Sequence, residues 1–196
     1  MEVIVNGKVA DIDLGKINDD YFANSAAIGL APTVARSIPL WMKRYLGIAG
    51  YGLVAATKFF DHRPFRCELH EEGGNLTVDD ALEVIIANGK YHGGVLVAED
   101  ADPESFELVV RIVKGPSKLN LLLAWLLPGS SGPDVVLKVR VQKGSLTTDP
   151  WQYVSLDGEV VMRTPLKLAV AVEALLMMVP PRFEDRDLPN DFEPAA

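Results

Sequence analysis

Two carboxylates separated by one glycine, Asp157-Gly158-Glu159, are the residues of this chain best suited to chemistry. They lie between the apolar runs 151–156 and 160–162, and an Asp-Gly pair between apolar strands predicts a β-hairpin. A hairpin explains the glycine, but it does not explain the second acid or the lack of an adjacent lysine or arginine. Two carboxylates on a rigid turn can hold a base, an acid or a metal ion in fixed geometry. Both interpretations stay open at this point.

Composition limits the classes of protein that the turn can belong to. The chain has 196 residues, of which 48% are hydrophobic and 23% are charged, so it can bury a sizeable core. Its formal net charge of -8 argues against a nucleic-acid partner. The single cysteine, Cys67, allows no intramolecular disulfide and suits a reducing, cytoplasmic compartment. Residues 1–8 do not have the pattern of a signal peptide, and the apolar run 45–57 is shorter than the roughly 20 residues of a bilayer span.

The elements that must position the turn are mostly strands. Short apolar runs bounded by turn residues predict a mainly β chain of the α+β class, a β-sandwich with a helical insert. Apolar residues at helical spacing predict the insert over residues 33–60, with Pro39 starting the longer helix. A second helix is expected over 118–127, capped by Ser117. We expect one domain, 1–181, and an acidic, solvated tail, 182–196. Strands are expected at 3–5, 8–13, 21–29, 64–71, 76–79, 81–87, 95–98, 107–113, 135–141, 145–148, 152–156, 159–162, 166–172 and 174–179.

The chain lacks the motifs of several other kinds of site. It has no Gly-x-x-x-x-Gly-Lys-Ser/Thr and no Gly-x-Gly-x-x-Gly between a strand and a helix, so nothing in it cradles a triphosphate by itself. The three histidines have no metal-ligand spacing. The acidic loop 99–107 offers oxygen ligands for a hard cation, although a solvated loop is the simpler interpretation.

The two most apolar stretches, 45–57 and 119–127, have two interpretations. They can pack in the core, or they can form a surface that receives lipid, with Trp41 and Trp125 at its margins. The sequence by itself favours the core.

Several short motifs occur in an order that resembles the diacylglycerol kinase/sphingosine kinase lipid-kinase family, and its bacterial soluble diacylglycerol kinase-like members in particular. The similarity covers about residues 1–181. It is carried by the strand 21–29 with its Asn and Gly, by Leu46-Gly47 and Tyr51, by Asn88-Gly89-Lys90-Tyr91-His92-Gly93-Gly94, by Asp100-Ala101, by Leu156-Asp157-Gly158-Glu159 and by the apolar segment 175–180.

The resemblance implies a β-sandwich like the C-terminal domain of diacylglycerol kinase-like and NAD kinase-like enzymes. In the family, ATP and Mg²⁺ are bound mainly by an N-terminal nucleotide domain with a Gly-Gly-Asp-Gly-Thr motif, which this chain lacks. Asp157 is then the general base that takes the proton of a lipid hydroxyl, and Glu159 helps to orient the site or the catalytic metal. Asn24, Asn88 and Gly89 are expected to support the substrate.

The same resemblance implies partners and a location. We expect a lipid substrate, a nucleotide-binding domain, peripheral contact with the inner face of a membrane, and a homodimer through the edges of the sandwich.

One departure from the family pattern affects a structural Mg²⁺ site. Family members often have Asp-Asp-Gly-Leu-Leu where this chain has Glu104-Ser105-Phe106-Glu107-Leu108. A serine hydroxyl is a much poorer ligand for a hard cation than a carboxylate. The metal is therefore in doubt, with Asp102 or Glu104 as the residues that could compensate.

Two other functions remain as alternatives. The chain can be a non-catalytic lipid-binding or dimerisation module in which the acidic turn is only a hairpin. A two-carboxylate hydrolase is weaker, because glycosidase acids lie on opposite sides of a cleft whereas Asp157 and Glu159 flank one turn.

Overall fold

The computed structural model describes residues 5–89, 91–92, 95–96, 105–126 and 134–183. The helices are α1 (Leu30–Ser37), α2 (Leu40–Asp61) and α3 (Lys118–Leu126). The strands are β1 (Lys8–Ile17), β2 (Asp20–Phe22), β3 (Ser25–Gly29), β4 (Phe65–Glu71), β5 (Gly74–Ala87), β6 (Tyr91–His92), β7 (Val95–Leu96), β8 (Leu108–Lys114), β9 (Val136–Val141), β10 (Lys143–Asp149), β11 (Tyr153–Leu156), β12 (Glu159–Arg163) and β13 (Leu166–Val179).

Eleven of these strands form one antiparallel sheet that curls around the core, as expected for a β-sandwich-like domain. The order is β12-β11-β3-β5-β4-β10-β13-β1-β2, with β8 pairing β5 and β9. β6 and β7 pair only with each other within the described residues. The order brings β11 against β3 and β3 against β5, although these strands are far apart in sequence. The prediction of a mainly β, sandwich-like fold with a helical insert is confirmed.

The core is continuous through this sheet. Its largest fully buried side chains include Phe22, Phe65 and Leu69. A smaller cluster of Leu82, Val113, Leu121 and Ala124 lies under the helices, where α3 packs on β5 and β8. Burying one such side chain contributes about 1.5–3 kcal/mol, so the sheet forms a rigid frame for the turns at its edges.

The structure changes four strand predictions. The stretches 76–79 and 81–87 join into the single strand β5, and 166–172 and 174–179 join into β13. The stretch 21–29, predicted as one strand, breaks at Ala23-Asn24 into β2 and β3. The N-terminal hairpin prediction is wrong for the described residues, since Val5 and Asn6 are helical and β1 pairs with β13 and β2. The long partner β13 supplies more ladder hydrogen bonds than a strand of three residues can offer.

The helical insert forms as predicted. Ile38, which precedes a proline, is extended, and that conformation separates α1 from α2. Pro39 is the N-cap of α2 rather than its first helical residue. Ser117 caps α3 by accepting a hydrogen bond at Oγ from the backbone N–H of Leu119 (3.2 Å). Within the described residues, no helix has the length and apolar character needed to cross a bilayer.

Candidate functional site

The acidic turn is a hairpin, as its sequence predicts. β11 and β12 pair across it, with Leu156 opposite Glu159. Asp157 and Gly158 both have positive φ angles, 45° and 93°, as a two-residue turn with the right-handed twist of its strands requires. The glycine and the aspartate are thus explained by the backbone.

The carboxylate of Asp157 reaches across the sheet to the break between β2 and β3. Its Oδ2 accepts a hydrogen bond from the backbone N–H of Ala23 (2.7 Å). Its Oδ1 accepts two more, from the N–H groups of Asn24 (2.9 Å) and Ser25 (2.9 Å). The Asp157 backbone N–H donates in return to the Ser25 carbonyl (2.9 Å). Three hydrogen bonds to its carboxylate and one from its backbone therefore fix the exposed Asp157 against residues 23–25, which we call the 23–25 turn.

Asn88 and Gly89 hold the other side of the 23–25 turn. Their backbone N–H groups both donate to the Asn24 carbonyl, at 3.0 and 2.9 Å. The buried Asn88 side chain donates through Nδ2 to the carbonyls of Asp13 (2.8 Å) and Ala23 (3.1 Å). The predicted residues Asn24, Asn88 and Asp157 thus come together around one turn.

Gly89 accommodates the close approach of the Asn24 side chain. A Cβ atom at position 89 would lie 2.4 Å from Oδ1 of Asn24, well inside van der Waals contact. The glycine therefore leaves room for the side-chain amide of Asn24.

Asp13 is a member of this network that sequence reasoning missed. It is buried, and its Oδ1 accepts a hydrogen bond from the backbone N–H of Glu173 (3.0 Å). Glu173 has a φ of 50°, which marks an irregularity within β13. An acid at an inward position of an apolar strand is a signal that could have identified it.

The other predicted site residues do not join the turn. Glu159 is exposed at the start of β12 and, among the described residues, takes no part in the hydrogen bonds around Asp157. Asp102 and Glu104 lie outside the described residues. Ser105 donates its hydroxyl to the Glu107 carbonyl (3.2 Å). Across the part of the chain that the structure describes, no three His, Cys, Asp or Glu side chains come together as a metal site.

The chain is thus a β-sandwich-like domain with a hydrogen-bond network at the edge of its curled sheet. Residues 25–179 match the model of the YegS C-terminal NAD kinase beta sandwich-like domain, and the chain belongs to that family. The resemblance to diacylglycerol kinase-like lipid kinases is thereby confirmed.

Similar proteins carry lipid-kinase names. A "Probable lipid kinase YegS-like" protein of Pectobacterium atrosepticum is 27% identical over 93% of this chain and 61% of its own length. A protein of the same name from Pseudomonas aeruginosa is 28% identical over 86% of this chain and 56% of its own. A "putative diacylglycerol kinase" structure from Bacillus anthracis superposes with a TM-score of 0.72 at 22% identity, over 92% of this chain and 61% of that one. The chain thus spans about 60% of the length of these relatives.

Proposed function

We propose that this chain, over residues 1–181, is the lipid-binding and catalytic-base domain of an ATP-dependent lipid kinase of the diacylglycerol kinase type. The observation that carries the proposal is the Asp157 carboxylate, exposed yet held by three backbone N–H groups of the 23–25 turn. In phosphoryl transfer the protein mostly positions groups and controls charge, so a fixed hydrogen-bond acceptor is what the attacking hydroxyl needs. Membership of the family supports assigning that role to Asp157.

The hydrogen bonds leave room for a substrate hydroxyl. An ionised carboxylate has about four acceptor positions on its two oxygens. Two are taken at Oδ1 and one at Oδ2, so one position remains at Oδ2. A lipid O–H that donates there would have its oxygen held in a fixed orientation for attack on the γ-phosphorus of ATP. As the new O–P bond forms, the proton passes to Oδ2 and ADP leaves.

Glu159 and Asn24 have supporting roles in this proposal. The Asn24 amide lies beside the turn, where Gly89 leaves it room, and can bond to other oxygens of the lipid glycerol. Glu159 is exposed two residues from Asp157 and can approach the catalytic Mg²⁺, which would neutralise charge developing on the phosphates.

We propose that ATP and Mg²⁺ are bound mainly by a separate nucleotide domain, for which the additional length of the relatives offers room. The described residues of this chain offer no cluster of metal ligands and no phosphate-binding loop motif. The acidic tail, 182–196, falls mostly outside the described residues and remains a sequence prediction. A homodimer through an edge strand such as β12 remains a proposal as well.

A titration of the isolated chain tests the lipid site. ¹⁵N-labelled protein with dispersed dioctanoylglycerol should show shifted amide resonances at Ala23, Asn24 and Ser25. The same lipid with its hydroxyl methylated cannot donate to Asp157 and should leave these amides nearly unshifted. Equal shifts with both lipids, or shifts confined to other parts of the chain, would contradict the proposed role of the carboxylate.

The alternative of a non-catalytic module is favoured by Ser105, which replaces a carboxylate of the family pattern. The coding DNA upstream of Met1 discriminates the two functions. An in-frame Gly-Gly-Asp-Gly-Thr segment there would rule out the module.

A further inference from the structure

Helix α2 exposes an apolar face. Trp41, Tyr45, Leu53 and Phe60 are 57%, 76%, 59% and 75% exposed, whereas the sequence favoured burial of this stretch. Their spacings of four, eight and seven residues place them on one side of the helix. That side is about 28 Å long at 1.5 Å per residue, long enough to contact an extended surface along its length.

The rest of α2 is fixed to the domain on other sides. The helix packs along α1, and Phe59 packs on the small buried cluster beneath the helices. Lys118 of α3 donates to the carbonyl of Phe60, and the His62 ring bonds to the Leu82 carbonyl (2.6 Å). The exposed face therefore belongs to an anchored helix rather than to a loose one.

The charge of the helical insert indicates which kind of partner can bind the exposed face of α2. Residues 30–63 contain five basic residues and one acid, although the whole chain has 19 basic and 27 acidic residues. The basic residues are Arg36, Lys43, Arg44, Lys58 and Arg63. A second copy that docks through the same face would bring like charges together, whereas an anionic lipid surface attracts them. An amphipathic helix with aromatic and apolar residues on one side and cations on its other sides is typical of helices that lie in a membrane interface.

We propose that α2 lies in the headgroup region of an anionic bilayer, with Trp41, Tyr45, Leu53 and Phe60 entering the acyl boundary. The membrane contact is inferred from the exposed face and the charge of α2. That this contact brings a lipid hydroxyl to Asp157 is a further step, which rests on the proposed function.

Vesicle sedimentation with the 196-residue chain tests the proposal. The chain should bind vesicles of equimolar phosphatidylglycerol and phosphatidylcholine, and binding should weaken with added salt and with pure phosphatidylcholine. Leu53→Ser combined with Phe60→Ser removes two apolar contacts and should lower the partition coefficient about tenfold or more. Val9→Ser combined with Leu176→Ser is the matched control, since these side chains on the β1–β13 ribbon are 59% and 69% exposed. The partition coefficient of the control should stay within roughly twofold of that of the parent chain, because surface changes away from a contact have small effects.

A second measurement locates the contact on the helix. With Trp125→Phe and Trp151→Phe, Trp41 is the remaining tryptophan, and lipids brominated near the glycerol should quench its fluorescence. Circular dichroism of each variant verifies the fold; if the double tryptophan variant is unfolded, the sedimentation comparison decides alone.

Three outcomes would overturn the inference: no binding of the parent chain to anionic vesicles, equal loss of binding in the Leu53/Phe60 variant and its control, or a vesicle-independent dimer that Leu53→Ser dissociates. These outcomes leave the role of Asp157 untouched, because vesicle binding involves no phosphoryl transfer. Conversely, a kinase that stays fully active with Asp157→Asn would overturn the proposed function and leave the vesicle result standing.

Discussion

Replacing Asp157 with alanine should destabilise the domain even though the side chain is exposed. The change removes the acceptors of three backbone N–H groups, those of Ala23, Asn24 and Ser25. A hydrogen bond to a neutral group contributes about 1 kcal/mol net and one to a charged group about 1.5–3 kcal/mol. Because water can reach part of this turn, we use the lower figure for each bond. The expected loss is about 2–3 kcal/mol in the free energy of unfolding.

Asparagine at position 157 should cost less. Its amide oxygen can keep the two bonds made at Oδ1, whereas its NH₂ group would face the N–H of Ala23, which is a second donor. We expect a loss of about 1–2 kcal/mol. Asparagine is therefore the better substitution for measurements of activity, since it preserves most of the turn.

Urea denaturation followed by circular dichroism measures these losses. Glu159→Ala is the matched control, because Glu159 is an exposed acid of the same hairpin, and it should change stability by at most about 0.5 kcal/mol. If Asp157→Ala is no more destabilising than Glu159→Ala, the three hydrogen bonds do not hold the turn, and the positioning argument fails.

Three further predictions concern single residues. Gly89→Ala should displace the Asn24 side chain, because its Cβ would lie 2.4 Å from Asn24 Oδ1. The NMR resonances of the Asn24 side-chain NH₂ should shift, and the free energy of unfolding in urea should fall by less than about 1 kcal/mol. Unchanged resonances would contradict the contact. Burial lowers the pKa of His62 below its ordinary 6.5, against the opposing effect of the Leu82 hydrogen bond. As the pH falls, the unfolded chain is therefore protonated at this residue before the folded chain, and the free energy of unfolding should fall as the pH drops below about 6.5. His62→Gln should weaken this dependence whereas His70→Gln, at an exposed position, should not; equal pH profiles for both variants would refute the assignment. Burial, followed by the charge of Glu68, raises the pKa of the Cys67 thiol to about 12, so native protein should react with a disulfide reagent only at the rate of unfolding, and rapid labelling of the folded chain would show the thiol to be accessible.

The sequence predicts the turn and the sheet because each depends on local patterns. An Asp-Gly pair between apolar runs predicts a hairpin with a two-residue turn, and the positive φ angles of such a turn are found at Asp157 and Gly158. The break before Pro39 and the cap at Ser117 also follow from local chemistry.

The network around the turn could not be predicted from local patterns, because its partners come from distant strands. Asp157 meets Asn24 only because β11 pairs with β3, and Asn88 joins them because β3 pairs with β5. The break at Ala23-Asn24 leaves backbone N–H groups free to donate hydrogen bonds to the carboxylate of Asp157. The apolar composition of 21–29, in contrast, favours an unbroken strand.

The exposure of α2 could not be predicted for a different reason. An apolar helix that packs in a core and one that packs on another surface have the same spacing of apolar residues. The positions of α1 and of the small buried cluster decide which side of α2 faces outward, and these positions depend on tertiary structure.

The rate of lipid phosphorylation with asparagine at position 157 tests the central claim most directly. This chain would replace the matching region of the Pectobacterium atrosepticum relative, and transfer of labelled phosphate from ATP to diacylglycerol would be measured in mixed micelles. Against an active parent, Asp157→Asn should lower kcat by at least about 10²-fold. Asp79→Asn, at an exposed acid outside the site, is the matched change, and circular dichroism is the check on folding. A folded Asp157→Asn protein that phosphorylates diacylglycerol at the parent rate would contradict the assignment of Asp157 as the base.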